Sequence, residues 1–360
     1  MSLHIEPRRS IPASARLLAP VVAVVLTLVF GAALFAALGY PPLETLVAFF
    51  IKPVSTMYGV TELLVKAVPL IIIAAGLSVG FRANVWNIGA EGQLTMGAIA
   101  ATGVGLFAPE ALHPVLLPLM FLAGLLGGAA WAGVAAVLRT KLNTNEILVT
   151  LMLTYIAGLF LSFLVRGPWR DPHGFNFPQT AMLPADGLLE PLDPMYRVTG
   201  SVWFALIALA VLWVVTARSF AGYKLSVGGA APRAARYAGF SETGAIWVGL
   251  LVGGGAAGIA GFYEAAGPLG QLSPVISPGY GFAAIIVAFV GRLSAPGILL
   301  GGLFLALTYV GGESVQVSHG IPAHITRVFQ GLLLFLLLAS EFFITYRLVR
   351  RGRAAGGQGA

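Results

Sequence analysis

The stretch FRANVWNIGAEGQ, residues 81–93, interrupts one of the most apolar parts of the chain. AVPLIIIAAGLSVG precedes it and LTMGAIAATGVG follows it. Non-helical backbone at membrane depth survives only where protein or a wet cavity satisfies its polar groups. The stretch therefore predicts a broken membrane helix, whose polar side chains either stabilise the break or form the wall of a polar path.

The composition of the whole sequence agrees with a membrane protein. Of its 360 residues, 58% are hydrophobic and 10% are charged, whereas a soluble domain carries about 25% charged residues. Several apolar runs approach the roughly 20 residues that cross a bilayer as a helix. We predict an all-α, polytopic membrane protein with ten spans, at 19–39, 62–81, 90–107, 114–138, 146–165, 201–217, 243–263, 281–292, 296–311 and 325–346.

These spans predict one transmembrane domain, 19–348, between an N-terminal tail, 1–18, and a C-terminal tail, 349–360. The eighth span is short and follows the proline- and glycine-rich sequence SPVISPGYG, so we expect a broken or re-entrant element there. Five spans lie on each side of a long polar loop, 166–200, so any internal repeat would be inverted. The loop itself fits a docking or gating role and a plain connector equally well.

The positions of the basic residues predict the orientation. With the N-terminus in the cytoplasm, the external Lys and Arg residues are Lys52, Lys66, Arg166, Arg170, Arg197 and Arg327, and the other 15 of the 21 are cytoplasmic. Cytoplasmic loops carry such an excess. We therefore expect a multi-pass protein of the cell (inner or plasma) membrane, with both termini in the cytoplasm, the 166–200 loop outside and the 218–242 segment inside.

Several classes of chemistry are disfavoured. The chain has no cysteine, and its five histidines show neither HxxxH nor HExxH spacing, so we expect no metal site and no cofactor. It has no GxxxxGK[ST] phosphate loop, and the GxSxG match GLSVG at 76–80 lies inside a predicted membrane span instead of a strand–turn–helix, so an enzyme is improbable. The net charge of +7 follows the membrane topology and does not indicate nucleic acid as a partner.

Four ordered motifs carry a resemblance to a known family. GLSVGFRANVWNIGAEGQLTMGA, NTNEILVTLMLTYIA, PRAARYAGF and SPGYGFAAIIVAFVGRLSAPG resemble the permease subunits of ABC importers for nucleosides and simple sugars. That group also contains the branched-chain amino acid permeases. The resemblance implies a second permease subunit, which we expect to be a different but similar chain, two ABC ATPase subunits that hydrolyse the ATP, and an extracytoplasmic substrate-binding protein.

The resemblance also assigns roles to residues. The segment between the sixth and seventh spans becomes the coupling helix that docks on the ATPase, with the residues Pro232, Arg233, Ala234, Ala235, Arg236, Tyr237, Ala238 and Gly239. A surface helix on lipid headgroups is the alternative. Candidate residues of the substrate path are Asn84, Asn87, Glu91, Gln93, Asn145, Thr150, Thr154, Tyr280 and Phe282.

For two of these residues a purely structural role is equally open. Glu91 lies in the first turn after the break, where the helix dipole favours a carboxylate. Asn143 or Thr144 suits the N-cap of the fifth span, and Asn145 falls in its first turn. The resemblance favours a nucleoside as substrate, before a simple sugar and a branched-chain amino acid. An ion-driven transporter, with Glu91 as proton site, and a membrane scaffold are the alternatives from other classes.

Overall fold

The computed structural model describes residues 2–7 and 13–351, and within them the chain is almost entirely helical. The α-helices are α1 Ala13–Ala37, α2 Pro42–Phe50, α3 Lys52–Ser55, α4 Met57–Arg82, α5 Ala90–Phe107, α6 Leu116–Leu142, α7 Glu146–Arg166, α8 Ser201–Arg218, α9 Phe220–Ala230, α10 Pro232–Tyr237, α11 Glu242–Glu264, α12 Tyr280–Val290, α13 Ala295–His319 and α14 Ala323–Thr345. Two 3₁₀ turns, Glu110–Val115 and Ala185–Gly187, and a π-helical turn, Ala265–Leu269, complete the helical elements. The predicted all-α class is confirmed.

Each of the ten predicted spans coincides with a helix. Six of the described helical segments are long and apolar enough to cross a membrane, and they contain α4, α6, α7, α8, α11 and α13. The predicted short eighth span is α12, whose 11 residues rise only about 16 Å, half of a bilayer core. Helices α2, α3 and α9 were not predicted. Helix α13 extends eight residues beyond its predicted end at 311.

A small β-ribbon was also not predicted. β1, Ser2–Pro7, pairs antiparallel with β2, Tyr346–Arg351, in the register Ser2 to Arg351. The first helix begins at Ala13, inside the predicted tail 1–18. Most of the predicted tail 349–360 lies outside the described residues.

The chain forms two compact units, of which one contains residues up to Ser55 and from Val310 onward. In this unit α1 packs against α14, and the core holds Phe35, Phe49 and Phe329. The Phe329 ring lies 5.3 Å from that of Phe35 and 4.8 Å from that of Phe49. This unit therefore closes around its own aromatic core.

The other unit, Thr56–Tyr309, is built around the glycine-rich helix α11. A Cβ atom on Gly97 of α5 would lie 2.3 Å from the Cα of Gly258, and one on Gly128 of α6 would lie 2.2 Å from the carbonyl oxygen of Gly254. Small residues at such spacing let membrane helices approach closely. The tight packing of α4, α5 and α6 on α11 fixes the position of the break between α4 and α5.

Candidate functional site

The break predicted at 81–93 is present, and the chain turns back into the bundle. Helix α4 ends at Arg82 and α5 begins at Ala90, as predicted. Asn84 makes the turn with a positive φ of 57°. A Cβ atom on Gly253 of α11 would lie 3.1 Å from the side-chain nitrogen of Asn87 and 3.2 Å from the Leu77 side chain. Asn87 thus lies at the level of Leu77 on α4. Because Leu77 is five residues before the end of α4, the break re-enters by about 7 Å.

A reciprocal amide pair holds the re-entrant segment. The side-chain nitrogen of Asn87 donates to Oε1 of Gln93 at 2.8 Å, and Nε2 of Gln93 donates to Oδ1 of Asn87 at 2.9 Å. The same Oδ1 accepts from the backbone amide of Gly89 at 3.1 Å. Both side chains are 1% exposed. The pair satisfies polar groups that would be costly without partners at this depth.

Helix α7 packs directly on the break. The Thr150 hydroxyl accepts from the backbone amide of Ile88 at 3.2 Å and donates to the carbonyl of Glu146 at 2.7 Å. A Cβ atom on Gly89 would lie 2.6 Å from the Thr150 carbonyl oxygen, and one on Gly92 would lie 2.6 Å from the Cα of Thr154. The two glycines of NIGAEG therefore admit α7 as a third wall of the site.

Glu91 joins this break to the second glycine-rich break. Its Oε2 accepts from the backbone amide of Gly281 at 2.7 Å, in the first turn of α12. The Ser277 hydroxyl and the Gly279 amide also interact electrostatically with this carboxylate. Ser277 in turn accepts from the amides of Gly279 and Tyr280, at 3.1 and 2.9 Å. Glu91 thus caps α12, a helix 190 residues away, where the dipole favours a negative charge.

Aromatic rings and an arginine close the other end of α12. Phe289 stacks on Phe81 at 4.9 Å and on Trp86 at 5.4 Å. The Arg82 guanidinium donates from Nη2 to the carbonyl of Leu293 at 2.7 Å, in the turn between α12 and α13. Helix α12 is therefore fixed to the break at both of its ends.

The predicted coupling helix is present and follows a second helix. α10 begins at Pro232, and Gly239 terminates it with a positive φ of 77°. Helix α9 leads into it and contacts the end of α4, because a Cβ atom on Gly229 would lie 2.2 Å from the Arg82 carbonyl oxygen. Tyr237 on α10 is 97% exposed. The segment thus touches the break on one side and exposes α10 on the other.

A cavity of about 460 Å³ lies between the break and this segment. Its lining combines Asn84 and Val85 of the break with residues of α9, α10 and the start of α11. Arg139 of α6 pairs with Glu146 at 3.1 Å, and Arg236 pairs with Glu242 at 2.9 Å. Lys224 sits over the Phe220 ring at 4.7 Å. The charges that line the cavity are thus engaged with neighbouring side chains.

The structure divides the predicted path residues into three groups. Asn87, Gln93, Thr150 and Tyr280 are buried, and the first three are bonded within the break. Asn84 and Asn145 are exposed. The Asn145 side chain caps α7 by accepting from the amide of Ile147 at 2.9 Å, so the cap lies at Asn145 and not at Asn143 or Thr144 as predicted. Glu91 and Thr154 are half-buried and Phe282 is exposed, so these three residues keep accessible surface in this chain.

A charged cluster near the N-terminal end of α4 was not predicted. Glu62, buried, accepts from Nε of Arg197 at 2.9 Å in a two-pronged ion pair. Glu264, the buried last residue of α11, interacts electrostatically with Lys66, Arg197 and Glu91. Two carboxylates inside apolar helices were the available signal, since such residues are functional candidates by default. No cluster of potential metal ligands occurs in residues 2–7 and 13–351.

Comparisons with known proteins agree with one another. A family model described as the permease component of branched-chain amino acid transport systems matches residues 59–338. A glucose ABC transporter permease protein of Haloferax volcanii is 38% identical over 97% of this chain and 94% of its own. A guanosine ABC transporter permease protein of Bacillus subtilis is 27% identical over 93% and 97%, and a nucleoside ABC transporter permease protein of Lactococcus lactis 26% over 92% and 93%. No solved structure matches the chain significantly.

Proposed function

The chain belongs to the family of ABC transporter permeases that includes the permease component of branched-chain amino acid systems, and on that premise we propose that it forms the membrane path of an ATP-driven importer for a small hydroxylated solute. The chain itself does not hydrolyse ATP in this proposal. Separate ATPase subunits do so, and this chain converts their movement into opening and closing of the path.

The observation that carries this proposal is the contact between the exposed helix pair and the break. Gly229 of α9 packs on the carbonyl of Arg82, the last residue of α4. Arg82 holds the turn after α12, and α12 is capped at its other end by Glu91. A push on α10 therefore reaches the re-entrant segment through backbone contacts and charged hydrogen bonds. A two-state element that one ligand biases in this way is what alternating access requires.

The partners follow from this arrangement. Two ATPase subunits dock beneath the permeases, with α10 in a groove of each ATPase, and the exposed Tyr237 and Arg236 make the polar and aromatic contacts. A second permease, a different but similar chain, completes the path, and a substrate-binding protein delivers the solute from outside. The protein resides in the inner or plasma membrane with both termini in the cytoplasm.

The substrate we favour is a simple sugar, with a nucleoside as the second candidate. The 38% identity to a glucose permease favours the sugar, whereas relatives named for guanosine and nucleosides are 26–27% identical. The site suits both, because the Glu91 carboxylate and the Thr154 hydroxyl bind hydroxyl groups and the exposed Phe282 ring stacks on a sugar face or a base. A branched-chain amino acid offers fewer hydroxyl groups for such contacts and ranks third.

The test is co-purification of the tagged chain, followed by an ATPase assay of the recovered complex. We expect an ATPase, a second permease and a binding protein to co-purify, and glucose or guanosine with the binding protein to raise ATP turnover. Uptake driven by an ion gradient in vesicles without ATP would overturn the proposal and support an ion-driven carrier.

A further inference from the structure

The last part of the 166–200 loop forms a short finger. We define the finger as residues 191–199, because Pro191 and Thr199 pair as an isolated antiparallel bridge and Leu192 donates its amide to the Val198 carbonyl at 2.8 Å. The base of the finger is buried at Val198 and Thr199, whereas Met195 at its tip is 77% exposed. The finger is thus a defined element with an anchored base and a free tip.

The rest of the loop is bonded onto the bundle by its backbone. Thr180 donates its amide to the Leu272 carbonyl at 3.0 Å, Leu183 donates to Gly270 at 2.9 Å, and Leu189 donates to Ala266 at 2.8 Å. These bonds tie the loop to the π-helical turn and the residues that follow it. A plain connector needs no such anchoring, so these bonds favour a docking or gating role for the loop.

An ion pair of side chains holds the finger to α4. Arg197 donates from Nε to Glu62 at 2.9 Å and from Nη2 to the other carboxylate oxygen. The Glu62 side chain is 5% exposed and that of Arg197 is 54% exposed. Arg197 is already half in water and regains its hydration when it leaves. The buried Glu62 carboxylate then lacks this partner, so another step of the transport cycle must supply the free energy of opening. An ion pair of this kind can open and close.

The pair lies at the end of α4 that is opposite to the coupling segment. Glu62 precedes Arg82 by 20 residues, which is about 30 Å of helix, the thickness of a bilayer core. Behind the finger lies the π-helical turn, where the Cβ position of Gly267 is 3.8 Å from the Thr199 side chain. Glu264 immediately precedes this turn, and its buried carboxylate interacts electrostatically with Arg197. The finger therefore covers the polar interior at this end.

We propose that the Arg197–Glu62 ion pair is the latch of a gate: the finger 191–199 closes the end of the path remote from the ATPase and lifts once in each transport cycle. The proposal rests on the proposed transport function. It assigns to these two residues a role in transport beyond stabilising the fold, and it requires that the finger move away from α4 while solute passes.

The direct test is to lock the latch. The chain has no cysteine, so Glu62→Cys with Arg197→Cys supplies its only two thiols. Two long side chains separate the backbones, so a short bis-methanethiosulfonate reagent joins the thiols in place of a direct disulfide. In proteoliposomes of the whole transporter, we expect bridging to lower ATP-dependent uptake at least about tenfold, and reduction of the bridge to restore it.

A matched control uses a second pair that ties the same loop to the bundle. His113 Nδ1 lies 3.2 Å from Oδ2 of Asp186, beside the packed cluster that contains Leu116 and Leu183. Bridging His113→Cys with Asp186→Cys should leave uptake within about twofold. Undiminished uptake with the Glu62–Arg197 bridge in place overturns the proposal, and so does an equal loss from the control bridge. Absence of ATP-dependent uptake by the wild-type complex would instead refute the proposed function.

A second measurement leaves the ion pair intact. Ser201, 8% exposed, sits at the base of the finger and hydrogen-bonds to Thr199 at 2.8 Å. In Ser201→Cys, we expect a membrane-impermeant thiol reagent to react at least about tenfold faster during turnover than at rest, because the lifted finger uncovers this position. Equal rates in the two states overturn the latch, even if the double-cysteine variant does not fold.

Discussion

Replacement of Asn87 by leucine tests whether the amide pair holds the break. Leucine has a similar size but cannot hydrogen-bond, so Asn87→Leu removes three bonds: two to Gln93 and one to Gly89. In membrane proteins such bonds contribute about 0.6 to 1.7 kcal/mol each. We therefore expect Asn87→Leu to lower the free energy of unfolding by about 2 to 5 kcal/mol.

A double-mutant cycle separates the pair from general damage. Gln93→Leu removes two of the same bonds, so it should cost about 1 to 3 kcal/mol. The double variant contains neither side-chain amide, so no amide is buried without a partner. Its loss of unfolding free energy should therefore be smaller than the sum of the two single losses by about 1 to 3 kcal/mol. The measurement is unfolding of the purified chain by denaturing detergent, followed by tryptophan fluorescence.

Thr102→Val is the matched control, on the same helix, α5, as Gln93. The Thr102 side chain is fully buried, and among the described residues its hydroxyl has no hydrogen-bond partner. The substitution should change stability by less than about 0.5 kcal/mol or raise it. Single losses at Asn87 and Gln93 no larger than that of this control, or strictly additive losses, would refute the claim that the amide pair stabilises the break.

Substitutions at Glu91, Gly229 and Tyr237 test the connections of the site. Glu91→Ala should reduce uptake more than Glu91→Gln, because glutamine keeps an acceptor for the Gly281 amide; equal losses in an uptake assay would mean that the charge alone matters. Gly229→Ala should cost about 1 to 3 kcal/mol and lower solute-stimulated ATP turnover, whereas Gly228→Ala, which meets open space, should do neither. Tyr237→Ala should leave the unfolding midpoint unchanged and reduce ATPase co-purification, since the ring is 97% exposed; full recovery of the ATPase would contradict a docking role.

The sequence predicted the features that depend on local pattern. The ends of the break at Arg82 and Ala90 follow from a polar, glycine-rich interruption of apolar runs. The bounds of α10 follow from a proline at its first turn and a glycine after its last. The predicted helical spans coincide with helices for the same reason, because hydropathy and length carry most of the information in a membrane protein.

The features that were missed depend on contacts between distant residues. Glu91 meets Gly281 at a separation of 190 residues, and Arg197 meets Glu62 at a separation of 135. Either carboxylate could face several elements, and only the packing of the helices decides which. The glycines of α11 gave no such indication either, because a glycine in an apolar helix does not reveal which neighbour approaches it.

Three predicted path residues bond within the break. Asn87, Gln93 and Thr150 are buried and bonded within the break, as expected of residues that satisfy re-entrant backbone. Their polarity alone could not distinguish this role from solute contact, since both need amides and hydroxyls. Asn84 and Glu91 of the break and Thr154 of α7 keep accessible surface, and the part of all these residues in a solute path stays a prediction.

We propose that ATP, through α10 and the break, drives a hydroxylated solute across the membrane. The most direct measurement is uptake of radiolabelled glucose and guanosine by proteoliposomes that contain the whole transporter, with ATP inside and binding protein outside. We predict uptake of at least one solute that requires internal ATP and is unaffected when ionophores collapse the ion gradients. Uptake that continues without ATP and stops when the gradients are collapsed would contradict the account.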